Sequence, residues 1–564
     1  MKRRLVLLSS LAVIIAMMTA YFATPLQSAQ AQGGKTLRVA FAQEPDNLNG
    51  YYTTMAFATW ATFLQQANLF DYDENFKPIP RLVTEIPSFD NGGISKDGKV
   101  LTFKLKKDLK WSDGSPLTAE DVAFSYEMLK DKGNNMLQGG NITGTLQKVE
   151  KVDDLTVKLT FSEPQPYPEN IGGPTNFFLL PAKVLKPVYD KDKSIEKADW
   201  NLNPTVFSGP YTLKEWKRGE VMTLVANPNF VSGKPKIDTI QIRFFAEPES
   251  SYQALAAGQI DWIPNLQSAD SKKIGDLTKD VTFYQLNGSY QEFLVFNVRK
   301  ADQPRAGHPA LQDVNVRKAI RLGVDREKLV KDALFGLASV TDSLYDSVKD
   351  YVSPEIKFVK ADKAAAEKLL DDAGWKKGAD GIRAKDGVKL ELRYVTTTAA
   401  QRKQNQAVIQ QQLGDIGIKI VLENKPASEF FGAFANGGTL AIGEYDLAEF
   451  ANNTVTTNPV AGQARALMCE ERVSEAKPGG QNNSGYCNEK MDAAVKAVET
   501  SLDKKVALDG VATIQKLMYD EVPQFTLYNR DDIYAYITSR FAAKPRIGAG
   551  ILNMWFDVGN WDLK

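Results

Sequence analysis

Histidine is almost missing from this 564-residue chain, which holds one, His308, in a Gly-His-Pro turn among charged residues. A single imidazole excludes metal sites built from several histidines, and any Ser-His-Asp arrangement would have to use that loop residue, which we read as a surface histidine. Cysteine is nearly as scarce, with two, and no Cys-x-x-Cys occurs. No serine stands in Gly-x-Ser-x-Gly, and no glycine-rich loop ends in Gly-Lys-Ser/Thr. Hydrolase, redox and nucleotide-binding chemistries therefore lose their usual carriers. Paired carboxylates for glycoside hydrolysis stay open, because the separation that matters is spatial, but nothing singles out a pair among 69 acidic residues. We expect no catalysis, no cofactor and no metal.

Long apolar runs are also missing after the first two dozen residues. At the start, Lys2, Arg3 and Arg4 precede an apolar stretch from Leu5 to Phe22, followed by Ala29-Gln30-Ala31. That is the layout of a secretory signal peptide, with cleavage expected after Ala31. The alternative is an uncleaved anchor, because the 18-residue stretch reaches the lower limit of a membrane helix. Without residues 1–31 the chain carries 66 basic against 69 acidic side chains, which gives no electrostatic argument for nucleic acid or anionic lipid. We expect an exported protein, periplasmic or at the cell surface.

What remains has ordinary globular composition, 43% hydrophobic and 24% charged, and is too long for one core. Thr36–Ala42 suits a buried strand, and Val100–Leu105 alternates as a half-buried one. Thr118 and Asp121 form a capping box ahead of a helix carrying Ala119, Val122, Ala123, Tyr126 and Leu129. Pro164–Asn203 has poor periodicity and reads as a loop-rich insertion. Strands are expected at Gly209–Trp216, Val221–Ala226 and Thr239–Phe245, and helices at Glu249–Ala257, Val316–Leu322, Lys328–Leu334 and Lys363–Ala373. Val388–Val395, a helix over Gln401–Leu413 and Ile418–Leu422 make a β-α-β unit, which belongs in a largely parallel sheet. Such α/β sheets bind ligands at the carboxyl ends of their strands. Cys469 and Cys487, with 17 residues between them, are expected to form a disulfide in an exported protein, contributing about 3 kcal/mol.

The segment Asp97–Lys130, DGKVLTFKLKKDLKWSDGSPLTAEDVAFSYEMLK, resembles the signature of the bacterial extracellular solute-binding family 5, the peptide- and nickel-binding receptors of ABC importers. Further blocks are similar to that family in the same order: SGPYTLKEW at Ser208–Trp216, NPNFVSGKPKIDTI at Asn227–Ile240, ALAAGQIDWI at Ala254–Ile263, DVNVRKAIRLGVDREKLV at Asp313–Val330 and AAAEKLLDDAGW at Ala364–Trp375. The resemblance implies an α/β, class II periplasmic-binding fold: two lobes joined by a two-stranded hinge, with an extra subdomain inserted in the first lobe. The expected division is 32–70, 205–294 and 525–564 for the first lobe, 71–204 for the insertion and 295–524 for the second lobe. The crossings are expected near Leu294–Asn297 and Phe525–Leu527.

The resemblance also implies a small polar ligand, a short peptide first and an oligosaccharide second, passed by a monomeric receptor to membrane permease subunits. Nickel fits less well with one histidine. Peptide receptors of the family commonly carry Trp-x-x-Asp before the cysteine pair, the aspartate holding the peptide's amino terminus. Phe450-Ala451-Asn452-Asn453 stands there, so Phe450 can supply an aromatic wall while Asn453 offers a weaker neutral contact. Thr396 falls where dipeptide receptors place an arginine. The loop after the first strand resembles a wall of the family's site, which makes Glu44, Asn47, Tyr51 and Tyr52 candidates.

Overall fold

Two long antiparallel strands run through both halves of the molecule. The computed structural model describes residues 34–564 apart from 54, 75–76, 140–141, 143, 175, 267, 302, 347–350, 433, 454–463 and 549–553; the signal-peptide expectation for residues 1–31 lies outside that range. The main sheet contains, in chain order, β1 (Thr36–Phe41), β2 (Tyr211–Lys217), β3 (Val221–Ala226), β4 (Thr239–Phe244), β5 (Trp262–Leu266), β6 (Val281–Phe296), β7 (Glu391–Thr397), β8 (Lys419–Lys425), β9 (Leu447–Asn453) and β10 (Gln524–Ile537). Their spatial order is β8-β7-β9-β6-β10-β5-β1-β4-β3-β2. The pairs β1 with β4 and β5, and β7 with β8 and β9, are parallel.

β6 and β10 pair along nearly their whole length but change outer neighbours on the way. Tyr290–Phe296 of β6 pair with β9, whereas Ile533–Tyr536 of β10 pair with β5. The register between the two strands shifts from Leu286 to Tyr290, opposite Arg530–Asp532. The exchange therefore falls there rather than at Leu294–Asn297 and Phe525–Leu527. The reason is packing: Leu294, Phe296, Phe525 and Leu527 are core residues of the β7–β9 half, and Tyr284, Tyr534 and Tyr536 belong to the core of the β1–β5 half. Only the polar stretch between them leaves both cores.

Each half has its own anchors. Asp261, wholly buried, accepts from Arg38 on β1 and from Arg540 beyond β10, which ties the chain's two ends to the start of β5. In the other half Arg326, also wholly buried, grips Asp342 through both carboxylate oxygens at 2.9 Å and donates to the carbonyls of Thr526 and Val359. A third core gathers residues from Tyr51 to Trp200 around a separate antiparallel sheet of Val100–Lys104, Thr156–Phe161 and Leu146–Asp153. The capping box on Ala119–Lys130 forms as expected.

Two further expectations need correction. The Pro164–Asn203 segment contains a helix, Ala182–Asp192, with Pro187 inside it. It persists because Leu185 is buried and Asp121 Oδ1 accepts from Ala182 N at 3.0 Å, so tertiary contacts outweigh the proline. Val388–Lys389 does not start β7; it closes a small sheet with Arg383–Lys385 and Lys376–Lys377.

Gly288 sits in the register shift, and a Cβ there would lie 1.8 Å from the carbonyl oxygen of Arg530. Gly288→Ala should force the two strands apart and lower stability by about 1–3 kcal/mol, the usual cost of overpacking. Urea unfolding followed by circular dichroism checks this, and an unchanged midpoint would mean that the strands are not held at this distance.

Candidate ligand-binding cleft

A cavity of about 290 Å³ opens where the strands exchange neighbours. The β1–β5 half supplies Trp60 from the helix Ala56–Gln65, and Asn265 and Leu266 from the end of β5. The other half supplies Gln401 from the first turn of the helix Ala400–Asp415, and Leu334, Leu337 and Ala338. The crossing strands contribute Tyr290, Tyr528, Arg530, Asp531 and Asp532. This is the carboxyl-end side of the parallel strands: β5 ends at Leu266, and β7 ends at Thr397 just before the helix that carries Gln401. Asn265 holds φ +56°, a left-handed conformation that asparagine tolerates better than most residues.

Beneath the cavity lies a buried polar network. Glu292, with no exposed surface, takes Arg402 Nε on Oε1 and Arg530 Nη2 on Oε2, both at 2.6 Å. Arg402 also donates to Thr397 Oγ1. Asn405 Nδ2 donates to Glu449 Oε1 and to Tyr528 OH, and Tyr394 OH donates to Glu449 Oε2. Charges this deep are tolerated only when paired. Burial, with the nearby Glu292 carboxylate adding to it, pushes the Glu449 carboxyl well above its ordinary value. The network thus joins β6, β7, β9, β10 and the Ala400–Asp415 helix into one block.

The loop candidates mostly serve their own half. Glu44 accepts from Trp216 Nε1 at 2.8 Å and from Gly219 N at 3.1 Å, which fixes it to the β2–β3 turn. Asn47 Oδ1 accepts from Asn49 N in a tight local turn. Tyr51 is a core residue: wholly buried, edge-on to Phe178, its hydroxyl accepting from Phe178 N. Tyr52 is half-buried, packed on the insertion's core, and its buried hydroxyl has no hydrogen-bond partner among the described residues. None of the four lines the cavity. Phe450 is 8% exposed and packs edge-on against Phe430 and Phe431. Asn453 pairs across the sheet with Tyr290, placing its backbone at the cavity's edge; its side chain lies outside the description. Thr396 is buried and donates to the carbonyl of Glu449, so it faces protein.

The sequence did carry a signal for the residues that line the cavity. Asn529-Arg530-Asp531-Asp532 interrupts a fourteen-residue strand that is otherwise largely apolar, and Asn287-Gly288-Ser289 does the same in β6. A polar break in the middle of a long strand marks where it leaves one core for another.

Cys469 and Cys487 are joined in a disulfide, with Cα atoms 4.5 Å apart. Among the described residues no group of three or more His, Cys, Asp or Glu side chains could hold a metal ion, and no helix is long and apolar enough to cross a membrane.

Comparison with known proteins defines the class. The family described as bacterial extracellular solute-binding proteins, family 5, matches residues 77–470, well over half of the chain, and the protein belongs to that family. The oligopeptide-binding protein AppA of Bacillus subtilis (strain 168) is 29% identical over 441 residues, covering 74% of this chain and 76% of its own. Among solved structures, the ABC transporter substrate-binding protein CtaP from Listeria monocytogenes superposes with TM-score 0.77 at 23% identity, over 94% of this chain and 99% of that one. AppA from Bacillus subtilis in complex with a nonapeptide gives TM-score 0.69 at 22% identity, over 94% and 99%.

Glu449 and the disulfide each carry a testable consequence. The Glu449 carboxyl titrates higher in the folded chain than its unfolded value near 4.3. Between those two values the folded state holds the extra proton, so this group's contribution to stability falls as pH rises. Glu449→Gln keeps the shape and removes the titration; urea unfolding from pH 5 to 9 should show the wild type losing more stability than the variant, and parallel curves would contradict the assignment. Replacing both Cys469 and Cys487 by serine should cost about 3 kcal/mol for a loop of this size, read as a lower urea midpoint that reducing agent does not lower further.

Proposed function

We propose that this protein is the ligand-capturing component of an ABC importer, taking a short peptide between its two halves and presenting it to permease subunits in the membrane. The observation that carries the reading is the cavity at the crossing, lined by residues from both halves. In the sheet, the halves are continuous through β6 and β10 alone among the described residues. Two strands with a register shift can flex without breaking either core, so a ligand that contacts both halves favours the closed arrangement by its differential affinity. On this reading the first lobe comprises 32–70, 205–286 and 533–564, the second 290–530, and the insertion 71–204.

A contact between the insertion and the second lobe fits a closed arrangement. Tyr167 OH donates to the carbonyl of Val498 at 3.3 Å, and Gly98 lies against Leu502. Peptide is favoured over saccharide because the similar AppA of Bacillus subtilis is named as oligopeptide-binding and a structure similar in fold holds a nonapeptide. Closure, binding and release need no bond-making step, so the protein acts as a receptor rather than an enzyme. An amino-terminal signal directing export to the periplasm or cell surface accords with this role.

A bound ligand stabilises the folded state by mass action, about 2.7 kcal/mol at a hundred times Kd. In a thermal-shift screen, tri- to pentapeptides should raise Tm by several degrees while oligosaccharides leave it unchanged. A rise with oligosaccharides only would replace peptide by sugar as the ligand class.

A further inference from the structure

The insertion and the second half meet away from the crossing. Gly98, in the turn before the strand Val100–Lys104, and Pro164 to Tyr167, after the strand Thr156–Phe161, form one tip of the insertion, joined by Gln165 N donating to the carbonyl of Gly98 at 2.8 Å. That tip rests on the turn between two helices of the second half, Glu489–Thr500 and Lys504–Glu521. Leu502, in the turn, fills the space over Gly98: a Cβ added there would stand 2.6 Å from Leu502 Cδ2 and 3.1 Å from Pro164 Cβ. Tyr167 is half-buried, packs against the core cluster of the second half that contains Val498 and Ile514, and donates its hydroxyl to the carbonyl of Val498 at 3.3 Å. Val498 is one of the last four residues of its helix, whose carbonyls find no partner within it.

None of these residues lines the crossing cavity, so a ligand there leaves them untouched. Leu337 differs in this respect, because it packs against the first half's core and lines the cavity as well. The contact's elements are modest, a neutral hydrogen bond and an apolar side chain, and they are opposed. Glu499, on the same helix as Val498, is held by Arg465 at 2.7 Å. Burial raises the Glu499 carboxyl, Arg465 pulls it down, and the carboxylates of Glu470 and Glu163 raise it further. Glu163 belongs to the insertion, so a like charge acts across the contact. Attraction through Tyr167 and Leu502, set against repulsion from Glu163, leaves a balance of the size that a ligand binding elsewhere can tip.

We propose that Tyr167 and Leu502 are positioning residues for capture: their contact forms as the halves close, sets the share of the closed arrangement in the empty protein, and slows escape of a bound ligand that neither residue touches. The inference rests on the closing motion proposed above and extends it from the cavity to the insertion. A contact made after the encounter acts on the rate of leaving rather than on the rate of arrival. Loss of the Tyr167 hydroxyl or of the Leu502 side chain therefore frees the halves without changing any group the ligand meets. Loss of the Glu163 charge does the reverse.

The test uses the full chain with spin labels on cysteines introduced at exposed Lys234 and Lys368, read by electron double resonance without ligand and with a pool of tri- to pentapeptides, together with the rates at which that pool binds and is released. Y167F and L502A should each lower the ratio of short to long distances in the empty protein about two- to tenfold, the range of one hydrogen bond. Both should release bound peptides several-fold faster with association unchanged. E163Q should move distances and release the opposite way, which a damaged fold does not do. Distances and release rates in Y167F and L502A equal to those of wild type would overturn the proposal and leave closure around the ligand intact. A lower melting temperature with wild-type distances would also overturn it, because the two residues then support only the local fold. A wild type whose distances never change and which holds no peptide would sink the closing motion itself, and this inference with it.

Discussion

The structure depends on one constraint: β6 and β10 must belong to two hydrophobic cores at once. A strand serving one core can alternate apolar and polar residues along its length. These two cannot, because between Leu286 and Tyr290, and between Arg530 and Ile533, their backbones pass through a gap that neither core fills. That gap is where the sheet exchanges neighbours, where Gly288 allows close backbone approach, and where the cavity opens. Hinge and binding site are consequences of the same stretch of chain. Movement there costs few apolar contacts, and any ligand bound there touches whatever moves.

The polar network next to the gap gives the second half a rigid face. Glu292 stands between Arg402 and Arg530, so one buried carboxylate pairs with a helix residue and a crossing-strand residue at once. Glu449 is held by Tyr394 and Asn405 and sits close enough to Glu292 to be driven toward its neutral form. Replacing either group by an apolar one would leave its partners unpaired, at several kcal/mol. Rigidity on this side confines flexing to the strands themselves, while Arg38 and Arg540 on the buried Asp261 do the same for the other half.

Much of this fold was legible in the sequence because local pattern and tertiary role agree. β3 falls at Val221–Ala226, the Thr118–Asp121 capping box forms, and the β-α-β unit from β7 to β8 is parallel. The Ala182–Asp192 helix was illegible because its stability comes from Asp121 and Leu185 contacts rather than from propensity, with Pro187 arguing against it. The site was less legible than the fold. Glu44 and Asn47 looked exposed and polar, but their hydrogen bonds to Trp216, Gly219 and Asn49 occupy them locally. Tyr51 looked like a wall and is core. Asp531 and Trp60 lie far apart in sequence, one in a strand and one on an amphipathic helix, and only the crossing brings them to one cavity.

The most direct test of the account is the distance between the two halves with and without ligand. The chain has no free cysteine among its described residues, so spin labels on cysteines introduced at exposed Lys234 and Lys368 would report it by electron double resonance. The account predicts a broad or two-component distribution in the free protein that collapses to one narrow distance when peptide is added. An identical narrow distribution in both states would contradict it, because a cavity that never opens cannot receive a ligand at the crossing.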